Sequence, residues 1–163
     1  MGPLKKTLVI AGADPSYIMS KILFRPYFGG GLAARQTWPE RQPYMRKAFR
    51  KMAQSNSASS EIRILEIGSW AGQSAVLWGK EMKRAWLNGK VFCVDPWAPF
   101  VYQKQASENA ATRIMAEVLN KDKIFPLFWH NIKSSGLADV ICPLRGTSRD
   151  ILSCLRQSSF DLV

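Results

Sequence analysis

Cysteine, histidine, acidic side chains and long apolar runs are all scarce in this chain, and each scarcity removes a class of protein. Only three cysteines occur, Cys93, Cys142 and Cys154. Their number is odd and no C-x-x-C spacing links them, so neither a disulfide framework nor a zinc site is indicated, and a reducing, cytoplasmic compartment fits best. Cys93 and Cys142 fall inside apolar strand-like runs, where cysteine serves as a small core residue. The one histidine, His130, has no sequence neighbour that would orient it as a catalytic base, so a packing or surface role is expected. No apolar stretch is long enough to span a bilayer. Residues 1–13 are faintly similar to a signal peptide, but the apolar part runs only about seven residues before Asp14 and Pro15 end it without a cleavage site. Acid is short as well: 12 Asp/Glu stand against 23 Lys/Arg, for a net charge of +11. The imbalance is concentrated in the first 60 residues, where ten Lys/Arg face only Asp14 and Glu40. Such a balance attracts anionic partners, nucleic acid or an anionic surface, yet a solvated basic face is the plainer reading.

What is present indicates one globular unit with an appendage. A chain of 163 residues with 47% apolar composition and six tryptophans can bury a real core. Its organising stretch is Arg63 to Gly72. Ile62, Ile64, Leu65 and Ile67 form a short run rich in β-branched residues, which breaks at Gly68 and leads into a helical pattern. A strand, a glycine turn and a helix make the start of a nucleotide site, because glycine lets a ligand approach the backbone and the first N–H groups of the helix are free. Glu66, a carboxylate at a buried strand end, calls for a partner.

Before that stretch, Tyr44, Met45, Ala48, Phe49 and Met52 recur at helical spacing among Arg41, Arg46, Lys47, Arg50 and Lys51. This is a basic amphipathic helix over about residues 40–53, expected to dock its apolar stripe on the following domain, and Ser55 to Ser60 reads as a linker. Leu8 to Ala11 fits either a strand or a helical turn, and Gly29 to Gly31 marks a loop for which phosphate binding is a weak reading. The division expected is therefore a basic extension, 1–58, and a domain, 59–163.

Beyond the turn, Ala75, Trp78, Met82 and Trp86 place one apolar face on a helix. Asn88-Gly89 supplies a turn, and Val91 to Val94 make a second strand that ends in Asp95. A carboxylate there suits vicinal ribose hydroxyls, since a charged acceptor takes hydrogen bonds from both; the alternative is a loop residue that caps the next segment. Ala110 to Leu119 forms another amphipathic helix, and a further one spans Ile124 to Ile132 after a break near Asp122, with Pro126 tolerated in its first turn. Asp139 to Leu144 is a third strand. Thr147 then caps a short helix, with Asp150 in a capping-box-like position. Phe160 to Val163 starts a fourth strand, and the chain stops there, which suggests the front part of a larger domain.

Glu66-Ile-Gly-Ser-Trp-Ala-Gly-Gln-Ser74, Val94-Asp-Pro-Trp97, Leu144-Arg-Gly-Thr-Ser148 and Phe160-Asp-Leu-Val163 together resemble successive motifs of class I S-adenosylmethionine-dependent methyltransferases. The branch most similar is the small-molecule O-methyltransferase-like one with an E-x-G-x-x-x-G-x-S motif, and the likeness covers about residues 60–163. It implies an α/β, Rossmann-like three-layer αβα sandwich with a mostly parallel sheet, limited here to strands 3-2-1-4; the helical extension before it lies outside the resemblance. It implies that Glu66, Gly68, Ser69 and Gly72 form the cofactor loop, with Ser74 at the helix start and the amino-acid part of S-adenosylmethionine nearby. Asp95 would hold the ribose, Trp97 would lie beside the adenosine, and Gly146, Thr147 and Ser148 would lie by the adenine edge. For Trp70 two readings stand, flanking the cofactor or covering the turn.

Methyl transfer also needs a base or metal to take the acceptor's proton. In relatives of that family, acidic residues, commonly followed by a histidine, come after Asp-Leu-Val, and this chain ends before those positions. No catalytic residue and no metal ligand is therefore assigned, although a divalent metal is compatible with a completed domain. The leading expectation is a methyltransferase acting on a small-molecule or sugar hydroxyl. The alternative is a cofactor-binding but inactive fragment, or an interaction module joined to a missing C-terminal half; a homo-oligomer is the other partner arrangement considered. A dinucleotide-dependent oxidoreductase is disfavoured because the turn lacks G-x-G-x-x-G.

Overall fold

The computed structural model describes residues 14–29, 39–56, 61–99, 110–155 and 160–163, and side chains from residue 115 onward in the helix that starts at Ala110. In chain order the elements are α1 (Pro15–Ile22), α2 (Arg41–Ser55), β1 (Ile62–Ile67), α3 (Gln73–Arg84), β2 (Gly89–Asp95), α4 (Ala110–Asn120), α5 (Ile124–Ser134), β3 (Ile141–Arg145) and α6 (Ser148–Cys154). The strands alternate with helices and pair only in parallel, so the fold is α/β and Rossmann-like.

β2 lies in the middle of the sheet. It pairs with β1 from Ile62↔Gly89 to Ile67↔Val94 and with β3 from Val91↔Ile141 to Asp95↔Arg145. The last residues run along the other side of β1 through a parallel bridge between Ile64 and Leu162, with the Leu65 N–H donating to the Leu162 carbonyl at 2.8 Å. The spatial order is therefore third, second, first and incipient fourth, the order expected. Gly89 proves to be the first residue of β2, not part of a turn. A side chain there would collide with the Ile62 carbonyl oxygen, so only glycine admits this close pairing. β3 begins at Ile141, two residues later than the pattern suggested, because Asp139 and Val140 complete the turn that follows α5.

The core lies where α3 and α5 meet the sheet, around Ile64, Val91, Ile124, Leu127, Phe128, Ile132 and Ile141. Cys93 is buried in it, as expected of a cysteine in an apolar strand. α3 ends at Arg84, two residues short of the last position in its apolar spacing, and Trp86 is 94% exposed. The stop is physical: Lys83 and Arg84 put positive charge at the negative helix terminus, and Trp86 leaves the helix with a left-handed backbone.

The described parts of the extension pack on this domain. Phe49 and Met52 of α2 are buried against it, whereas Tyr44, expected on the same stripe, is 76% exposed. A helix turns by about 100° per residue, which carries Tyr44 off the face that Phe49 and Met52 share. Arg46 of α2 and Arg84 both reach the buried carboxylate of Glu81 on α3, at 3.2 and 2.5 Å. α1 went unpredicted, although Asp14 accepts from the Ser16 and Tyr17 N–H groups as its N-cap and Pro15 opens its first turn. Residues 8–11, 30–31 and 57–60, for which a strand or turn, a loop and a linker were expected, lie outside the described residues.

Candidate functional site

The carboxyl end of β1 runs into a turn in which three of five residues take left-handed backbones: Gly68 (φ 82°), Trp70 (φ 45°) and Gly72 (φ 81°). Such angles are easy for glycine and costly for a bulky residue, so the turn's shape depends on its two glycines and on whatever fixes Trp70. The two glycines serve different ends. At Gly72 a side chain would strike Phe128 of α5 at 2.8 Å, so this glycine lets α3 and α5 close together. At Gly68 nothing among the described residues lies within 4 Å of where a side chain would stand, so the backbone is open on that side.

Beneath this turn sits Glu66. Both of its carboxylate oxygens are buried and neither meets a hydrogen-bond partner among the described residues. Burial pushes its pKa up to about 7, helped by the nearby Asp95 charge. Ser69, Ser74 and Trp78 pull the other way from close range, without reaching full hydrogen-bond geometry. The Ser69 hydroxyl, on a residue only 3% exposed, lies close to that carboxylate and likewise makes no bond of full hydrogen-bond geometry among the described residues. A folded chain rarely leaves a carboxylate and a hydroxyl unsatisfied side by side unless a ligand completes them.

Asp95, at the end of β2, organises the neighbouring turn. Its Oδ2 accepts from the Trp70 N–H at 3.0 Å and its Oδ1 from the Trp97 N–H at 2.7 Å, while the Trp97 indole N–H donates to the Trp70 carbonyl at 2.8 Å. This ring of bonds holds Trp70 in its strained backbone. Burial raises the pKa of Asp95, and the two backbone N–H groups offset part of that rise. Trp97 is fully buried between Phe125 and Phe128, with ring centroids 5.0 and 4.7 Å away. No face of it is open to an adenosine, which corrects its expected place: the sequence sets Trp97 beside the strand end, but core packing takes the ring and leaves it to hold the turn.

The motif after β3 reaches the same end of the sheet, since the Gly146 N–H donates to the Asp95 carbonyl at 3.1 Å. Thr147 caps α6 as expected, its Oγ1 accepting from the Asp150 N–H and donating to the Asp150 carboxylate. Ser148 lines a cavity of about 230 Å³ together with Gly68, Trp70 and Asp95, and with Met115 and Leu119 of α4. On the other side of the turn a second cavity, of about 130 Å³, is lined by Gly68, Ser69, Gln73 and Ser74, and by Phe28, Arg41 and Met45 of the extension. Gly68 and Trp70 border both. A ligand lying over the turn would therefore meet Asp95 and Ser148 on one side and the start of α3 on the other.

Sequence reasoning missed the residue that ties these parts together. Asn131 of α5 is fully buried; its Oδ1 accepts from the Tyr27 N–H, and its Nδ2 donates to the carbonyls of Tyr27 and of Ala71 in the glycine turn. Its neighbour His130 has the packing role expected, with Nε2 3.0 Å from the Arg25 carbonyl and 3.3 Å from Ser20 Oγ. The one available signal was a polar residue on the apolar face between Phe128 and Ile132. Among the described residues no three His, Cys, Asp or Glu side chains gather into a metal site.

Residues 65–163 match a family described as a methyltransferase domain, a span that opens on the β1 end, takes in the glycine turn and the Asp95 ring, and continues to the last residue. The chain belongs to that methyltransferase-domain family. A search of curated proteins found no match. The strand order and the turn after β1 agree with membership of the class I S-adenosylmethionine-dependent methyltransferases. The family span of this methyltransferase domain omits α1 and α2, so Phe28 and Arg41 are contributions of the extension.

Proposed function

We propose that the chain binds S-adenosylmethionine across the carboxyl ends of β1 and β2 and serves the O-methylation of a small-molecule or sugar hydroxyl. The observation that carries the reading is the buried Glu66 carboxylate, without a full hydrogen bond among the described residues, under a turn whose Gly68 borders two cavities. A nucleoside linked to an amino acid is the ligand shape that such a divided cleft suits. When bound, the cofactor supplies an electrophilic methyl group on a sulfonium centre for in-line attack by the acceptor. The chain's own part is to bind and orient. Glu66 and Ser69 offer an acceptor and a hydroxyl beneath the turn, and Asp95 has lone pairs left for ribose hydroxyls after accepting two backbone N–H groups. Ser148 borders the adenosine side, Thr147 caps the helix that carries it, and Gly146 ties the preceding turn to the Asp95 carbonyl.

Titration calorimetry with S-adenosylmethionine, S-adenosylhomocysteine and NAD tests this. The first two are expected to bind saturably. Asp95→Asn is expected to weaken S-adenosylhomocysteine by roughly tenfold or more, the loss of a charge-assisted contact. Saturable binding of NAD alone would overturn the reading in favour of an oxidoreductase.

A further inference from the structure

The cavity on the α3 side of the glycine turn is built from two parts of the chain. The methyltransferase domain contributes Gly68, Ser69 and the first turn of α3, and the extension contributes Phe28, Arg41 and Gln42. Its polar groups share one electrostatic character. Arg41 is exposed and Gln42 is neutral, and among the described residues Arg41 makes no ion pair and no acidic side chain lines the space. α3, at 12 residues, presents the positive end of its dipole here. The Gly72 and Val76 N–H groups are taken by Ser69 and Gly72 carbonyls, and those of Gln73 to Ala75 lie in the open first turn. Independently of the helix end, Ser69 lines the same cavity, and its hydroxyl, almost wholly buried beside Glu66, makes no bond of full hydrogen-bond geometry among the described residues. A cation, a helix amino end and a serine around about 130 Å³ suit a small planar anion.

We infer that Arg41, at the first turn of α2, is the cation that reads the carboxylate on the amino-acid end of the methyl donor, so that the extension completes the cofactor site. This rests on the cofactor reading above and adds a residue from outside the family span. Arg41 binds ligand and takes no part in proton transfer. Basic residues farther along α2, such as Lys47, Arg50 and Lys51, do not line the cavity and carry no such role.

The test compares two ligands on the full chain: S-adenosylhomocysteine, which carries the carboxylate, and 5′-methylthioadenosine, the same nucleoside thioether without the amino acid. Arg41→Gln is expected to weaken S-adenosylhomocysteine roughly 10- to 100-fold, to leave 5′-methylthioadenosine within about twofold, and to keep the melting temperature of the parent. Arg41→Lys should recover part of the loss, since lysine keeps the charge but not the two-pronged geometry. Unchanged S-adenosylhomocysteine affinity in Arg41→Gln overturns the assignment and leaves the cofactor reading standing. Equal weakening of both ligands also overturns it, because the carboxylate is then not what Arg41 reads. Failure of the parent chain to bind either nucleoside overturns the cofactor reading itself.

Discussion

Glu66 shows how a single side chain can oppose the fold that houses it. Its pKa stands near 7 against an ordinary 4.5 because burial disfavours its charge, so the folded chain holds that proton more tightly than the unfolded chain does. The sign follows from linkage: the stabilisation is complete below pH 4.5 and is lost as pH rises through 7, on the order of 3 kcal/mol in all. Unfolding by denaturant at pH 4.5 and pH 7.5 measures it, and Glu66→Gln is expected to flatten that slope. Equal slopes for the two proteins would show that the carboxylate is solvated. The two glycines of the turn separate in the same assay. Gly68→Ala meets only backbone strain, about 1 kcal/mol, while Gly72→Ala adds the clash with Phe128 and should cost roughly 2 to 4 kcal/mol. Ligand affinity should fall in Gly68→Ala, where a methyl group enters the open side of the turn.

At the scale of elements, the strands and the turn between β1 and α3 were legible because their signals are local. A run of β-branched residues, a glycine, a helical period and a cap each lie within a few positions of one another. Thr147 and Pro126 could be placed for the same reason. Contacts between distant segments left no such mark. Nothing near residue 27 or residue 71 announces that Asn131 will bond to both, and nothing near Trp97 says that Phe125 and Phe128 will enclose it. α1 was different, since the Asp14-Pro15 start was readable but its apolar side chains do not follow one buried face: Ile18, Met19 and Ile22 are exposed. Asn131→Leu tests the joint between α5, the extension and the turn. Leaving the Tyr27 N–H and two carbonyls unpaired should cost about 2 to 4 kcal/mol, and amide exchange at residues 14–29 should quicken relative to β2. If exchange quickened equally everywhere, Asn131 would be a general core residue and not a specific tie.

The whole molecule is a parallel α/β sheet whose carboxyl edge is walled on one side by a segment outside the family span. That arrangement places two tryptophans of opposite character in one chain: Trp97 is sealed in the core with its indole N–H bonded to the turn, and Trp86 stands almost wholly in solvent. Iodide should quench the red-shifted emission of Trp86 and spare the blue-shifted emission of Trp97. Because Trp97 and Trp70 share the Asp95 carboxylate, occupancy at that carboxylate should alter the iodide-resistant emission while leaving the quenchable part alone. The bonds that hold the turn thus give the chain its own optical gauge, readable without a label.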